Sequence, residues 1–284
     1  MTGPRSATLP RPALRVGRPA PVRVGLAHGL ARAHARITRG SLSSPVLAVL
    51  DRVLPRGPLP PVAATLAPGV SLRVEGALAR TAVVAAGHEH REAEILTAAL
   101  RPGGVFVDVG AHVGWLSLLI AAHRPDTFVW ALEPVPLTAD ALGANLAASG
   151  LSTVELIRVA AGPRRASAWF TTHPDSSFAH QSDIDPVRGA LPETGEVRCP
   201  VLPLDELWAH RGWPRVDAVK VDVEGAEPDV LRGATTLLTR DRPLLVVDAP
   251  TGYARADLAE RLAPLGYRQH RAPGMHPRNI VFHV

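Results

Sequence analysis

"VFVDVGAHVGWLSL", residues 105–118, is the stretch that decides the fold. Four of its first five residues are Val or Phe, the texture of a strand buried on both faces. Asp108 sits at the strand's end, and Gly110 and Gly114 then mark a tight turn that opens a helix, "GWLSLLIAAH". Glycines in such a turn let backbone amides approach a ligand, and the helix N-terminus adds positive potential.

Outward from this unit, strands and helices alternate. Upstream, "VSLRVEG" and "RTAVVAA" read as a strand pair and "EHREAEILTAALRPGG" as a helix stopped by Pro102 and two glycines. Downstream come "TFVWALEP" as a strand, "TADALGANLAASG" as a helix and "TVELIRVAAG" as a strand; positions 171–196 are polar and irregular. "EVRCPVLPL" and "DAVKVDVEG" are strands, "EPDVLRGATTLLTR" a helix, "PLLVVDAP" a strand, "ARADLAERLAPLG" a helix, and "YRQHRA" and "NIVFHV" closing strands. Val-rich strands alternating with amphipathic helices specify an α/β fold, a doubly wound and mostly parallel sheet covered on both faces. Ligands bind at the carboxyl ends of such strands, near the switch in strand order.

The chain has 284 residues, 46% of them hydrophobic, ample for a sizeable core. Residues 1–62 contain eight arginines in the first fifty positions and no acid before Asp51. They read as a poorly ordered basic extension with short helices near "LAHGLARAHARI" and "SPVLAVLDRVL"; an organellar transit peptide is the competing interpretation. Residues 63–284 form the catalytic domain, with a strand pair and helix over 70–100 and a Rossmann-like core over 103–284. The balance of 31 basic to 26 acidic residues is no sign of nucleic-acid binding. Cys199 is the only cysteine, which excludes an intrachain disulfide and suits a reducing, cytoplasmic setting. No apolar run approaches the roughly 20 residues that span a bilayer.

The ligand class follows from spacing. A dinucleotide site requires G-x-G-x-x-G, and a Walker A loop requires Gly-Lys-Ser/Thr; here the pattern is D-x-G-x-x-x-G. Glu133 ends the next strand, 25 positions after Asp108, where an acid accepts hydrogen bonds from ribose hydroxyls. A glycine turn with a ribose acid and no phosphate cradle suits a nucleoside lacking pyrophosphate, S-adenosyl-L-methionine.

Lys220, in "VKVDVEGAEPDVLRGA" (residues 219–234), is the only lysine of the chain. Strand alternation puts it on one face with Asp222 and Glu224, and Val219, Val221 and Val223 on the other. Charges on a central strand must pair or reach solvent at its end. The lysine is either a fixed counter-charge in an acceptor site, where a compact ammonium is not replaceable by a planar guanidinium, or half of a purely structural ion pair.

At this point the sequence resembles the FkbM family of S-adenosylmethionine-dependent methyltransferases. "LRPGGVFVDVGAHVGWLSL", "ALEPVPLTADALGANLAASG", "VLPLDEL", "DAVKVDVEGAEPDVLRGA" and "LAPLGY" occur in family order across about residues 90–270. The lysine stretch matches the family's K-x-D-x-E-G-x-E-x-x-V-L-x-G. The resemblance implies a class I methyltransferase: a seven-stranded sheet with an antiparallel last strand, cofactor over the first two strands and acceptor over the fourth. It places Asp108, Gly110, Ala111, His112, Gly114, Glu133 and Pro134 at the cofactor, with Glu89 beside it, and Lys220, Asp222, Glu224 and Glu227 at the acceptor cleft or its support. Three positions depart from the family: His112 replaces asparagine, Trp115 tyrosine and Asp248 glutamate.

The implied reaction is O-methylation of a hydroxyl on a sugar or polyketide-like secondary metabolite, with Asp222 as first choice for base or acceptor-orienting group and Glu224 second. The expected partner is a small hydroxylated acceptor, with no nucleic acid and no membrane; no metal ligands are assigned, and the sequence leaves oligomeric state and metal requirement open. His88 and His90 flank Glu89 but lack a third ligand and read as surface histidines; "THPDSSFAHQSDIDP", with His173 and His180, is either an acceptor loop or a polar loop without chemistry. Two alternatives remain: a non-catalytic nucleoside-binding scaffold, and an RNA 2′-O-methyltransferase, the latter disfavoured by the single lysine and 4% aromatic content.

Overall fold

The structure, a computed structural model, describes residues 9–10, 13–16, 59–76, 78, 89–172, 180–181 and 195–284. The expected strand over 80–86, the two helices of the N-terminal extension, and His88 and His173 lie outside these residues.

In chain order, β1 (Ala13–Val16), β2 (Leu59–Ala67) and β3 (Val70–Gly76) form an antiparallel three-stranded sheet. Among the described residues, "VSLRVEG" pairs with β2, the segment before it in sequence. The alternation of Val62, Ala64 and Leu66 with polar or small residues buries one face of β2. The segments α1 (His90–Ala99), β4 (Val105–Val109), α2 (Trp115–His123), β5 (Phe128–Leu132), α3 (Pro136–Ser149) and β6 (Val154–Ile157) follow. Next are β7 (Ala160–Ala161), β8 (Ala166–Thr172), β9 (His180–Gln181) and β10 (Gly195–Leu202), which make a second small sheet in the order β7-β10-β8-β9. The chain closes with α4 (Leu204–Ala209), β11 (Val216–Val221), α5 (Glu227–Arg232), α6 (Thr235–Asp241), β12 (Leu244–Asp248), α7 (Gly252–Leu262), β13 (Arg268–His270) and β14 (Asn279–His283).

The main sheet has seven strands in the order β13-β14-β12-β11-β4-β5-β6. Strands β6, β5, β4, β11 and β12 are mutually parallel, and β14, the last in sequence, is antiparallel to β12. This is the Rossmann-like architecture that the sequence resemblance implies. Both β4 and β11 are buried at every position. Val105, Val107, Val109, Val219 and Val221 face a core shared with α4, α5, α6 and α7. Phe106, Ala218 and Val246 face the opposite core, shared with α1 and α2. Asp108 and Lys220, which are register partners, point to this second side. The winding leaves β4 for β5 and β6, then returns to β11 on β4's other flank. The switch in order therefore lies between β4 and β11.

Two elements differ from expectation. "TVELIRVAAG" is two strands, β6 and β7, in different sheets. "EPDVLRGATTLLTR" is two helices. At the break, a Cβ on Gly233 would lie 2.0 Å from the Gly162 carbonyl oxygen, so the chain crosses a neighbouring loop at backbone contact. Asp205 then accepts hydrogen bonds from the Thr236 (2.8 Å) and Leu237 (2.9 Å) amides and starts α6 as a cap supplied from elsewhere in the chain. No helix among the described residues is long and apolar enough to cross a membrane.

Candidate functional site

A cavity of about 240 Å³ opens at the carboxyl ends of β4, β5 and β11, at the switch point. Its floor is the β4–α2 turn. Gly110 has φ +84°, and a Cβ there would sit 2.0 Å from the Asp222 carbonyl oxygen. Glycine is required because the end of β11 passes over the turn. The amides of Gly110 and Ala111 both donate to Leu132 O, at 3.0 and 2.9 Å, and the Gly114 amide to Ala111 O. The glycines therefore shape the floor while their amides bind protein, contrary to the expectation that these amides face a ligand. Gly114 (φ +86°) is outside the cavity lining; a Cβ on it would meet the Leu142 and Leu118 side chains. His112 adopts φ +53°, a left-handed conformation that asparagine or histidine enters more readily than most residues.

On the β5 side, Glu133 is buried and accepts three hydrogen bonds. Its Oε2 accepts the His112 amide at 2.8 Å, and its Oε1 accepts the Val135 amide at 3.0 Å and the Thr138 hydroxyl at 2.7 Å. One carboxylate thus ties the β4–α2 turn to the β5–α3 turn, with a further lone pair on Oε2 for a ligand hydroxyl. Burial raises its pKa against these hydrogen bonds. Pro134 lines the same wall, and its carbonyl accepts the Cys199 thiol from β10 at 3.1 Å. Cys199 is buried, and that burial raises its pKa, which suits a structural thiol. Phe170 of β8 closes this side of the cavity.

Between the walls lies a buried polar cluster. Asp108 accepts the Ser117 hydroxyl at 2.6 Å, and burial pushes its pKa up to about 6. Lys220 is only 2% exposed and donates to Asp222 Oδ2 at 2.8 Å. Burial alone disfavours its charge, but Asp222 and Glu89, then Asp248, outweigh it and raise its pKa. For Asp222, burial is opposed by Lys220, Arg278 and His276, and the net result lies below the usual carboxylate range. Glu89, at the start of α1, lines the cavity with a pKa pushed up to about 8 by burial.

The β11 strand stops at Val221, so the expected single face of three charges does not extend to Glu224. Glu224 sits in the following turn at φ +53° and still lines the cavity. Its partner is Arg278, 3.0 Å away, which also grips both oxygens of Asp248. Glu227 lies behind the lining. Its Oε1 accepts the Val223 and Gly225 amides and fixes the turn, with a pKa raised to about 7 by burial. His90 is not a surface residue: it is buried on α1, near Glu94 at 3.5 Å.

The cavity thus gathers Asp108, Gly110, Ala111, His112, Glu133, Pro134, Glu89, Lys220, Asp222 and Glu224. Sequence reasoning missed Arg278, Glu92 and Ser117. Arg278 carries little signal in an arginine-rich chain. Glu92 accepts the His276 amide at 2.8 Å and the Asn279 side-chain amide at 3.0 Å, and so joins α1 to the segment bearing Arg278.

Among the described residues, Asp222, Glu227 and Asp248 form a grouping compact enough for a metal ion, with oxygens within 4.8 Å of one another. Lys220 and Arg278 already neutralise two of them, and both Asp248 oxygens are engaged by Arg278. A nucleoside with a cationic side chain fits the main cavity better. Gly110 keeps the floor low, Glu133 stands where ribose hydroxyls are bound in such folds, and the acids outnumber the single lysine.

Comparison with known proteins finds similarity to methyltransferases. A family described as "Methyltransferase FkbM domain" matches residues 108–268. The chain is 32% identical over 157 residues to 31-O-demethyl-FK506 methyltransferase FkbM of Streptomyces tacrolimicus, a match spanning 47% of this chain and 60% of that protein. It is 25% identical over 189 residues to 2-O-methyltransferase NoeI of Sinorhizobium fredii (strain NBRC 101917 / NGR234), covering 62% of this chain and 73% of the relative. A crystal structure of Methyltransferase FkbM from Methylobacillus flagellatus KT aligns with a TM-score of 0.46 at 18% identity, over 73% of this chain and 55% of that one.

Proposed function

Because the chain belongs to the FkbM methyltransferase family, we propose that it methylates a hydroxyl of a small molecule, a sugar or a polyketide-like secondary metabolite, with S-adenosyl-L-methionine as donor. The observation that carries this is the cavity at the switch point, with Glu133 on one wall and the Lys220–Asp222 pair on the other. Two relatives carry names that specify O-methylation, which supports oxygen as the nucleophile.

The cofactor, when bound, supplies an electrophilic methyl on a sulfonium for in-line displacement. The chain's residues then have separable tasks. Glu133 accepts the ribose hydroxyl through its remaining lone pair, and Asp108 and Glu89 face the cationic end. Asp222 accepts the hydrogen bond of the acceptor hydroxyl, aims its oxygen, and takes the proton that this oxygen loses as it gains the methyl. Its low pKa suits an orienting carboxylate, since such a group stays ionised, and Lys220 keeps it so. Glu224, clamped by Arg278, borders the acceptor side. The expected acceptor is a neutral polyol or macrolide-like molecule, and nothing in this assignment requires a nucleic acid.

The test is calorimetric titration with S-adenosylmethionine, followed by incubation with panels of hydroxylated sugars and polyketides and mass spectrometry. Binding with a gain of one methyl mass on a hydroxyl is expected. Binding without transfer to any member of either panel counts against the assignment and favours a scaffold role.

A further inference from the structure

Four of the five acids lining the cavity have donors of their own. Glu133 holds two backbone amides and a hydroxyl, Asp108 the Ser117 hydroxyl, Asp222 the Lys220 ammonium, and Glu224 the Arg278 guanidinium. Glu89 is the exception. Among the described residues its carboxylate has neither a hydrogen-bond donor nor an ion-pair partner, and it caps no amide of α1. The groups that act on it from neighbouring elements are Lys220 and Asp222 from β11 and its continuation, Asp108 from β4, and Glu92 from its own helix. Three of these four are acids, and the fourth is already bound to Asp222.

A carboxylate that lines a cavity among other acids and has no donor from the protein either keeps a proton or waits for a cation. Its pKa of about 8 fits that condition in the absence of ligand. We infer that Glu89 is the counter-ion by which the cavity distinguishes a sulfonium cofactor from the neutral thioether it becomes. This rests on the proposed role of the cavity as the S-adenosylmethionine site. S-adenosylmethionine and S-adenosylhomocysteine share adenine, ribose, ammonium and carboxylate; they differ by one methyl group and one positive charge. Shape offers little grip on that difference, whereas an uncommitted carboxylate responds to it directly. Once the methyl has left, the charge that Glu89 answers is gone, and the product is held less firmly.

The experiment is calorimetric titration of the full chain and of Glu89→Gln with three probes at neutral pH: S-adenosylmethionine, S-adenosylhomocysteine, and sinefungin, in which an amine replaces the sulfonium. The wild type is expected to bind both cationic probes about tenfold more tightly than the thioether. In Glu89→Gln the three affinities converge within about threefold, with an unaltered circular dichroism spectrum showing that the fold is intact. Glu89→Asp, which keeps the charge, retains the preference. Equal binding of sulfonium and thioether by the wild type overturns the inference, as does a preference that survives in Glu89→Gln. If none of the probes binds the wild type, the cofactor assignment itself falls.

Discussion

Lys220 Nζ lies 2.8 Å from Asp222 Oδ2, with the lysine 2% exposed and the aspartate side chain 32% exposed. The pair has one member sealed in the sheet and the other open to the cavity. It is therefore both a structural contact and a device that presents an ionised carboxylate to a ligand. Removing the ammonium leaves an acid that faces the cavity without its main counter-charge.

Lys220→Met is accordingly expected to lower stability by about 3 kcal/mol, the usual cost of breaking a buried pair from one side. Lys220→Arg keeps the charge but forces a planar fork into a space shaped for an ammonium, which costs about 1–3 kcal/mol in packing. Its methyl-transfer rate falls more than this stability change would suggest, by about tenfold or more as the acceptor carboxylate shifts. Urea unfolding alongside transfer assays on both variants checks the separation. Full activity in Lys220→Arg assigns the pair to structure alone.

Arg278 joins Asp248, 30 positions before it in the chain, to Glu224, 54 positions before it. Arg278→Gln strands the buried Asp248 and is expected to cost about 3 kcal/mol or more. Glu224→Gln leaves Arg278 still bound to Asp248 and should cost about 1 kcal/mol. Chemical denaturation of the two single variants and the double variant measures this order, and a double-mutant cycle gives the coupling.

The two glycines of the β4–α2 turn differ in what they avoid. At Gly110 an added methyl meets a backbone carbonyl, which cannot move without displacing the end of β11. At Gly114 it meets the ends of two leucine side chains. Both positions also carry the penalty of positive φ, about 1 kcal/mol. Gly110→Ala should therefore be the more destabilising, by about 2 kcal/mol or more beyond Gly114→Ala. Thermal unfolding of the two variants settles the ranking.

Stability should depend on pH with a definite sign. Glu89 moves from an ordinary value of 4.5 to about 8 in the fold, Asp108 from 3.8 to about 6, and Glu227 from 4.5 to about 7. Between each pair of values the folded chain keeps a proton that the unfolded chain has lost. Stability is thus greatest below the unfolded values and declines as pH rises through the folded ones. Asp222 acts oppositely: its contribution is present above its unfolded pKa and is lost only as pH falls through a value below the usual carboxylate range. Denaturant unfolding should show a maximum at about pH 4 and a fall toward about pH 8. Glu89→Gln should flatten the upper part of that fall.

Much of this was legible in the sequence because it is local. The valines at 105, 107 and 109 and at 219 and 221 encode buried strands, and Asp108, Glu133 and Lys220 sit at or near their carboxyl ends, where the cavity forms. The break between α5 and α6 was not legible, because it depends on Gly162 and Asp205, which lie far back in the chain. The role of Gly110 was half legible: a glycine turn was expected, but the carbonyl that demands it belongs to Asp222. Arg278 and Glu92 work through partners 54 and 187 positions away, distances at which a single sequence has no periodicity to read.

The central claim is a nucleoside cofactor lodged between Glu133 and the Lys220–Asp222 pair, and a crystal structure of the chain with saturating S-adenosylhomocysteine tests it most directly. The predicted result is ligand density over the β4–α2 turn, with a ribose hydroxyl within hydrogen-bond reach of Glu133 Oε2 and the thioether sulfur facing Asp222. Ligand bound elsewhere, or a cavity that stays empty at saturation, contradicts it.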